Sequence, residues 1–211
     1  HYSMKLYSKI GIGILACASL AFISPALKPS KTIHVVIDAG HGGHDFGATN
    51  EAAIEKEIVS QIANKIKAQN TNQAIVLHFT RNEDEFVELP SRAALINSIQ
   101  PDLFISLHIN ANASNQKSGL EFFINEQNLA TVERSKEIAT QLNTRLTQQT
   151  ALKGNTTIKN APFMVLKKAT VPGVLIELGY LTNENDKRTL TDKVEQTKIA
   201  NAILDFVSEL K

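Results

Sequence analysis

The chain has no tryptophan, a single cysteine and no excess of charge of either sign. Each shortage removes a class of reading. Lysine plus arginine number 22 against 21 for aspartate plus glutamate, so no global field points to nucleic acid or to an anionic membrane surface. Aromatic residues make up 6% of the chain, which gives little support to base stacking or to flat sugar platforms. The one cysteine, Cys17, lies in an N-terminal segment that reads as removable, and the remaining chain then holds neither disulfide nor thiol nucleophile. Its stability must come from an apolar core, with a metal as the remaining means of stapling. At 211 residues and 43% hydrophobic content, there is material for one domain of ordinary size.

Lys5 and Lys9 follow Met4 and precede the apolar run Ile14 to Ile23, which is short for a membrane span. Ser24-Pro25-Ala26 places small residues where a signal peptidase cuts. The expected division is a secretory signal peptide at 4–26, a polar linker at 27–32 and one folded domain at 33–211. An uncleaved anchor and lipidation at Cys17 are the alternatives for the leader. Export to the periplasm or cell envelope is expected on any of the three routes, two of which would tether the protein to the membrane.

From Ile33 onward strands and helices alternate. Ile33 to Ile37 reads as a strand, the spacing Ile54, Ile58, Ile62, Ile66 as a helix, and Ala74 to Phe79 as a second strand. Leu89 to Ile99 reads as helix, Leu103 to Leu107 and Leu120 to Ile124 as strands, and Thr131 to Leu146 as helix. Pro162 to Leu166 is expected as an edge strand, Val171 to Leu178 as a sheet strand and Lys193 to Leu210 as a terminal amphipathic helix. This βαβ rhythm predicts a single α/β domain: a twisted, mostly parallel but mixed sheet of about six strands with helices on both faces.

Within Val174-Leu175-Ile176-Glu177-Leu178 sits a carboxylate where an apolar strand should run, and such a group is costly to bury without a partner or a task. Sites in open α/β sheets gather at the carboxyl ends of strands. There the first strand runs into Asp38-Ala39-Gly40-His41-Gly42-Gly43-His44-Asp45, and the third ends at Ser106-Leu107-His108-Ile109-Asn110. Glu55 opens the first helix. Two histidines and a carboxylate suit a catalytic zinc, which takes about three protein ligands and keeps one position open. The expected ligands are His41, Glu55 and His108, with Glu177 as general base. Competing readings remain for each. Either histidine can be structural, Glu55 an ordinary helix-start acid with Glu57 as rival, and Glu177 a buried partner of Arg81 or Arg92. His44 and Asp45 are expected to shape the loop, and His34 and His78 to pack within strands. No Gly-x-Ser-x-Gly, Walker turn, dinucleotide fingerprint or His-Glu-x-x-His helix is present.

Val36-Ile37-Asp38-Ala39-Gly40-His41-Gly42-Gly43, Glu55-Lys56, Thr80-Arg81 through Leu89 and Arg92, Asp102 through Ala111, Val165-Leu166 and Pro172 through Asn183 together resemble, in order, the zinc-dependent N-acetylmuramoyl-L-alanine amidases of the type 3 amidase family. The resemblance covers Ile33 to Lys211. It implies one zinc ion on His41, Glu55 and His108, and cleavage of the amide between the muramic acid lactyl group and the L-alanine of the peptidoglycan stem. It also implies that Glu177 takes the proton of water and delivers it to the leaving amine. Arg81 and Arg92 fall at family-typical positions and are read as structural.

Some relatives carry a long helical insertion that plugs the site. Here Gly119 to Leu166 holds about one helix and a loop, so an open site, a monomer and no obligate activator are expected. Lys153 to Lys159 lacks an arginine expected in relatives, which bears on local substrate contacts. Two other readings share these residues: a zinc peptidase acting within the stem, and a non-catalytic peptidoglycan-binding protein on the same scaffold.

Overall fold

Strand β1 (Ile33–Ala39) is buried on both faces from Val35 onward and is therefore an interior strand. It belongs to a computed structural model that describes residues 32–51, 53–153 and 157–210. The expected leader at 4–26 lies outside these residues, as does the expected linker apart from residue 32. Along the chain follow the short strands β2 (Thr49–Asn50) and β3 (Ala53–Ile54), then α1 (Glu55–Gln69), β4 (Ile75–Phe79), α2 (Leu89–Ile99) and β5 (Leu103–Asn110). The second half contains β6 (Glu121–Ile124), α3 (Val132–Gln149), β7 (Ile158–Asn160), α4 (Met164–Lys168), β8 (Gly173–Tyr180), α5 (Glu184–Thr191) and α6 (Lys193–Ser208). Among the described residues the main sheet has six strands in the order β4-β1-β5-β8-β6-β7. Every neighbouring pair is parallel except β6 with β8. The single mixed α/β sheet expected from the sequence is therefore what forms.

Because strand side chains alternate, each interior strand feeds two cores. Val35, Ile37, Ile105, Leu107, Val174 and Ile176 meet α1, α3 and α6 on one face. Val36, Phe104 and Leu175 meet Ile96 of α2 and Val165 and Leu166 of α4 on the other. This second face changes character toward the carboxyl ends of the parallel strands. Two residues beyond Val36 comes Asp38, and beyond Phe104 come Ser106 and His108; beyond Leu175 comes Glu177. The register aligns them into rows, Asp38 beside Ser106 beside Leu175, then His108 beside Glu177 beside Glu121. A cleft opens where the apolar core gives way to these polar rows.

Beneath the cleft lies a buried ion pair. Arg92 and Asp38 are 2% and 1% exposed, and Arg92 Nη1 donates to Asp38 Oδ1 at 2.8 Å. Thr80 Oγ1 donates to the same oxygen at 2.6 Å and Ser106 Oγ to Oδ2 at 2.7 Å. Arg92 also donates to the carbonyls of Val87, Ala39 and His41. Arg81 donates to the carbonyls of Ala39, Gly40, Lys56 and Glu83. The two guanidiniums thus take up the carbonyls of the turn after β1, which confirms their structural reading. Neither pairs with Glu177.

Two local expectations change. Pro162 to Leu166 is not an edge strand: α4 begins at Met164, and the edge strand is β7 at Ile158–Asn160, parallel to β6. Val165 and Leu166 both enter the second core, which adjacent residues of a helix can do and adjacent residues of a strand cannot. Pro162 stands just before the N-cap Phe163, a position compatible with helix entry. Helix α5 went unread because only Asp186 and Leu190 are buried among its eight residues, too few to mark a period. It is held at its start by Asn183, whose side chain accepts from the amides of Asn185 and Asp186.

Burial raises the Asp38 pKa, but the Arg92 charge and the bonds from Thr80, Ser106 and Arg92 outweigh it, leaving the carboxyl below its ordinary 3.8. A folded pKa below the unfolded one gives stability that is complete above 3.8 and is lost as pH falls through the folded value. Urea unfolding between about pH 5 and about pH 2 should show a shallower acid loss in Asp38→Asn than in wild type. At neutral pH, Arg92→Met should destabilise by about 3–5 kcal/mol, because it strands a buried carboxylate.

Candidate active site

His41 occupies a left-handed backbone conformation, φ 59°, uncommon for a residue with a side chain. The turn around it sustains this conformation. Gly42 and Asp45 exchange backbone hydrogen bonds at 3.0 and 3.1 Å, and Arg92 holds the His41 carbonyl. Lys56 Nζ reaches the Gly43 carbonyl at 2.8 Å and Asp84 at 2.7 Å, while Asp84 accepts from the Gly43 amide. His41 is thereby presented by a loop fastened on three sides.

Glu55 is the hub. Its Oε1 lies 3.0 Å from His41 Nε2 and 3.0 Å from His108 Nδ1, and accepts from the Ile109 amide at 2.9 Å. Its Oε2 accepts from the Ala48 amide at 2.7 Å. One donor atom from each of His41, Glu55 and His108 lies within 4.8 Å of the others. Two glycines make room: a Cβ on Gly40 would run into the His108 ring, and one on Gly47 (φ +66°) would run into Glu55 and His41. Burial alone would raise the Glu55 pKa, but its bonds to His108 and His41 and their charge bring it to about 2. It is therefore a carboxylate at neutral pH. The sequence-derived trio converges, and its donor set of two imidazoles and one carboxylate fits a divalent cation.

Glu177 differs from Glu55 in having one carboxylate oxygen, Oε2, buried without a hydrogen-bond partner. It lies beside His108 in the sheet register and lines the same cleft. Burial is the main cause that pushes its pKa up to about 7, with the charges of Glu55 and Glu121 adding to it and those of His108 and His41 opposing. An unpartnered carboxylate near neutrality is suited to accepting and returning a proton. The alternative of a buried pair with Arg81 or Arg92 falls, since those cations are engaged with Asp38 and with backbone carbonyls.

Asp45 does more than shape the loop. Its Oδ2 is 2.8 Å from His41 Nδ1, and its Oδ1 accepts from the Gly47 amide at 3.2 Å. With Nδ1 engaged, His41 directs Nε2 toward Glu55, the arrangement by which carboxylates orient metal-binding imidazoles. The signal was present as His41 and Asp45 four residues apart, but an i,i+4 spacing in a glycine-rich loop does not fix geometry. Asp38, too, carried the signal that singled out Glu177, an acid inside an apolar strand. His34 and His78 pair with each other at 3.2 Å, Nδ1 to Nε2, on β1 and β4, apart from the trio.

Comparison with known proteins places these features. Residues 35–209 match the family N-acetylmuramoyl-L-alanine amidase, Amidase_3. The chain is 34% identical over 195 residues to the uncharacterized protein YqiI of Bacillus subtilis, covering 90% of both. It is 33% identical over 171 residues to N-acetylmuramoyl-L-alanine amidase LytC of the same organism, covering 81% of this chain and 34% of LytC. The fold is similar to the crystal structure of N-acetylmuramoyl-L-alanine amidase from Clostridium difficile 630, with TM-score 0.78 and 28% identity over 85% of this chain and 96% of that one. The catalytic domain of the amidase CwlV from Bacillus (Paenibacillus) polymyxa gives TM-score 0.76 and 30% identity, covering 84% and 97%.

Competition with a chromophoric chelator should show one zinc per chain, with binding abolished in Glu55→Ala. Asp45→Ala should weaken affinity about 10- to 100-fold while leaving the stoichiometry at one, as expected of a residue that orients a ligand without being one.

Proposed function

The chain belongs to the N-acetylmuramoyl-L-alanine amidase family, Amidase_3, and on that premise we propose that it hydrolyses the amide between the lactyl group and the stem L-alanine of peptidoglycan, with His41, Glu55 and His108 as the residues that would hold one zinc ion and Glu177 as general base. The observation that carries this reading is the meeting, in one cleft, of a convergent donor trio and a buried carboxylate oxygen without a partner.

When bound there, zinc supplies Lewis acidity toward the scissile carbonyl and makes water a stronger acid at neutral pH. The protein's own groups do the rest. Asp45 engages His41 Nδ1 and leaves Nε2 facing the centre. Glu55, ionised and held by two backbone amides, is a fixed anionic donor. Glu177 accepts the water proton as the water oxygen bonds to the carbonyl carbon. It then delivers that proton to the amide nitrogen as the C–N bond breaks, and the remaining proton of the water leaves the new lactyl carboxyl group for the alanyl amine, so that a carboxylate and a stem with an alanyl ammonium group are released. Burial raises the Glu177 pKa to about 7 and a bound cation would lower it, a balance that suits both halves of the cycle.

Helix α3 packs its buried side chains into the core on the opposite sheet face, away from the cleft. His41 and His108 side chains remain 23% and 17% exposed. These observations support an open site that works without an activator to unplug it. The family's substrate is the wall polymer, so the reaction is extracytoplasmic. Among the described residues no helix is long and apolar enough to cross a membrane, and the basic, apolar and small-residue order of the leader supports delivery to the periplasm or envelope.

Mass spectrometry of purified peptidoglycan digested with zinc-loaded protein should show free stems beginning with L-alanine, lost on chelation. Shortened stems would instead establish the peptidase, and binding without products the non-catalytic reading. Glu177→Gln should lower kcat about 10²- to 10⁴-fold with zinc content retained. In wild type the acid limb of kcat/KM should rise with pH as Glu177 deprotonates, below 7 because the cation favours the carboxylate. A raised folded pKa costs an acid stability above its ordinary 4.5, so metal-free Glu177→Gln should be more stable at neutral pH by about 1–3 kcal/mol in urea unfolding.

A further inference from the structure

The proton chemistry uses only part of the cleft lining. Another part comes from where α2 and α4 begin and from the residues just before them, Phe86, Val87 and Leu89 with Phe163 and Met164. Large apolar side chains there face water: Leu89 is 54% exposed, Phe86 44%, Phe163 39% and Met164 37%. Among the described residues seven large hydrophobics are exposed, and four of the seven line this one cleft. Scattered singly such residues need no explanation, but gathered at a site they mark a binding surface.

The wall is set in place. The Phe86 ring lies 4.2 Å from the His44 ring, and Phe163 meets Phe123 edge-on at 5.2 Å. Each aromatic ring already rests against a second ring, so less freedom is lost when a ligand covers it. The cleft encloses about 550 Å³, the size of a small-ligand site, whereas a protein partner needs a surface of roughly 800 Å² on each side. Its occupant is a short stretch of substrate.

A muramoyl-L-alanine amide has a methyl group on each side of the bond to be cut, one on the lactyl carbon and one on the alanine Cα. The histidines and glutamates of the cleft offer these methyls no apolar contact, whereas Phe86, Leu89, Phe163 and Met164 offer carbon and sulfur. We propose that Phe86, Leu89, Phe163 and Met164 form the specificity subsite that receives the methyl groups flanking the scissile amide, so that the cleft selects stems beginning with alanine over stems beginning with glycine. This inference rests on the amidase reading of the same cleft. A single methyl in an apolar pocket discriminates by about 10- to 200-fold in kcat/KM.

The test compares two soluble substrates, a muramoyl-L-alanyl peptide and its muramoyl-glycyl counterpart, on zinc-loaded wild type, Leu89→Ser, Met164→Ser and the conservative Leu89→Met. Zinc content and melting temperature are measured for each. Wild type should prefer alanine by about 10-fold or more, the serine variants should bring the ratio close to one chiefly by raising KM for the alanyl substrate, and Leu89→Met should restore the preference. Serine variants on both helices that keep the wild-type ratio, however far their activity drops, would overturn the subsite, as would a wild type with no preference. A wild type that cleaves neither substrate would remove the amidase reading and this inference together.

Discussion

The buried contact between Arg92 and Asp38 supports both the fold and the site. Asp38 interrupts an apolar strand and is tolerated because Arg92, Thr80 and Ser106 surround it. Arg92 in turn has donors left for the carbonyls of Ala39 and His41, the turn that carries the first imidazole. A buried pair of this kind is weak as a source of net stability, since desolvation offsets much of its Coulomb gain. Its effect here is geometric: with Arg81 on the neighbouring carbonyls, it holds a left-handed residue where a relaxed loop would not.

Above that base, two glutamates a short distance apart are driven in opposite directions by their surroundings. Glu55 is buried among donors, two imidazoles and two amides, and is held at about 2. Glu177 is buried without hydrogen-bond compensation at Oε2 and is pushed to about 7. Environments that separate the pKa values of like groups suit them to different tasks, here an ionised carboxylate between two imidazoles and a carboxyl group near neutrality. The division needs no special residue type, only the sheet register that sets Glu177 beside His108 and the helix start that brings in Glu55.

Much of this was legible from the chain because the signals were of the kinds that survive without tertiary information. Long periodic segments such as α1 and α6 and the interior strands β1, β5 and β8 declare themselves by burial pattern. Glu177 declared itself as an acid in an apolar run. The failures have a common cause. In Pro162 to Leu166 a run of five residues is too short for its period to separate strand from helix, and α5 buries too few residues to have a period at all. Asp45 is a third instance, because a loop residue's partner depends on backbone angles that spacing does not encode.

What the sequence determined by itself is therefore the α/β architecture, the trio His41, Glu55 and His108 and the place of Glu177 among the candidate site residues, since residue type and local pattern singled out each. Tertiary structure decided which cation meets which anion, that Arg92 serves Asp38 and leaves Glu177 unpaired, that Asp45 orients His41, and that four apolar side chains from separate segments face the same cleft. Most of those outcomes depend on distances between residues tens of positions apart, and the contact of Asp45 with His41 depends on the backbone angles of the loop between them. Only the packed sheet and its two helical layers set such distances, because a linear pattern specifies which face a residue takes but not what it finds there.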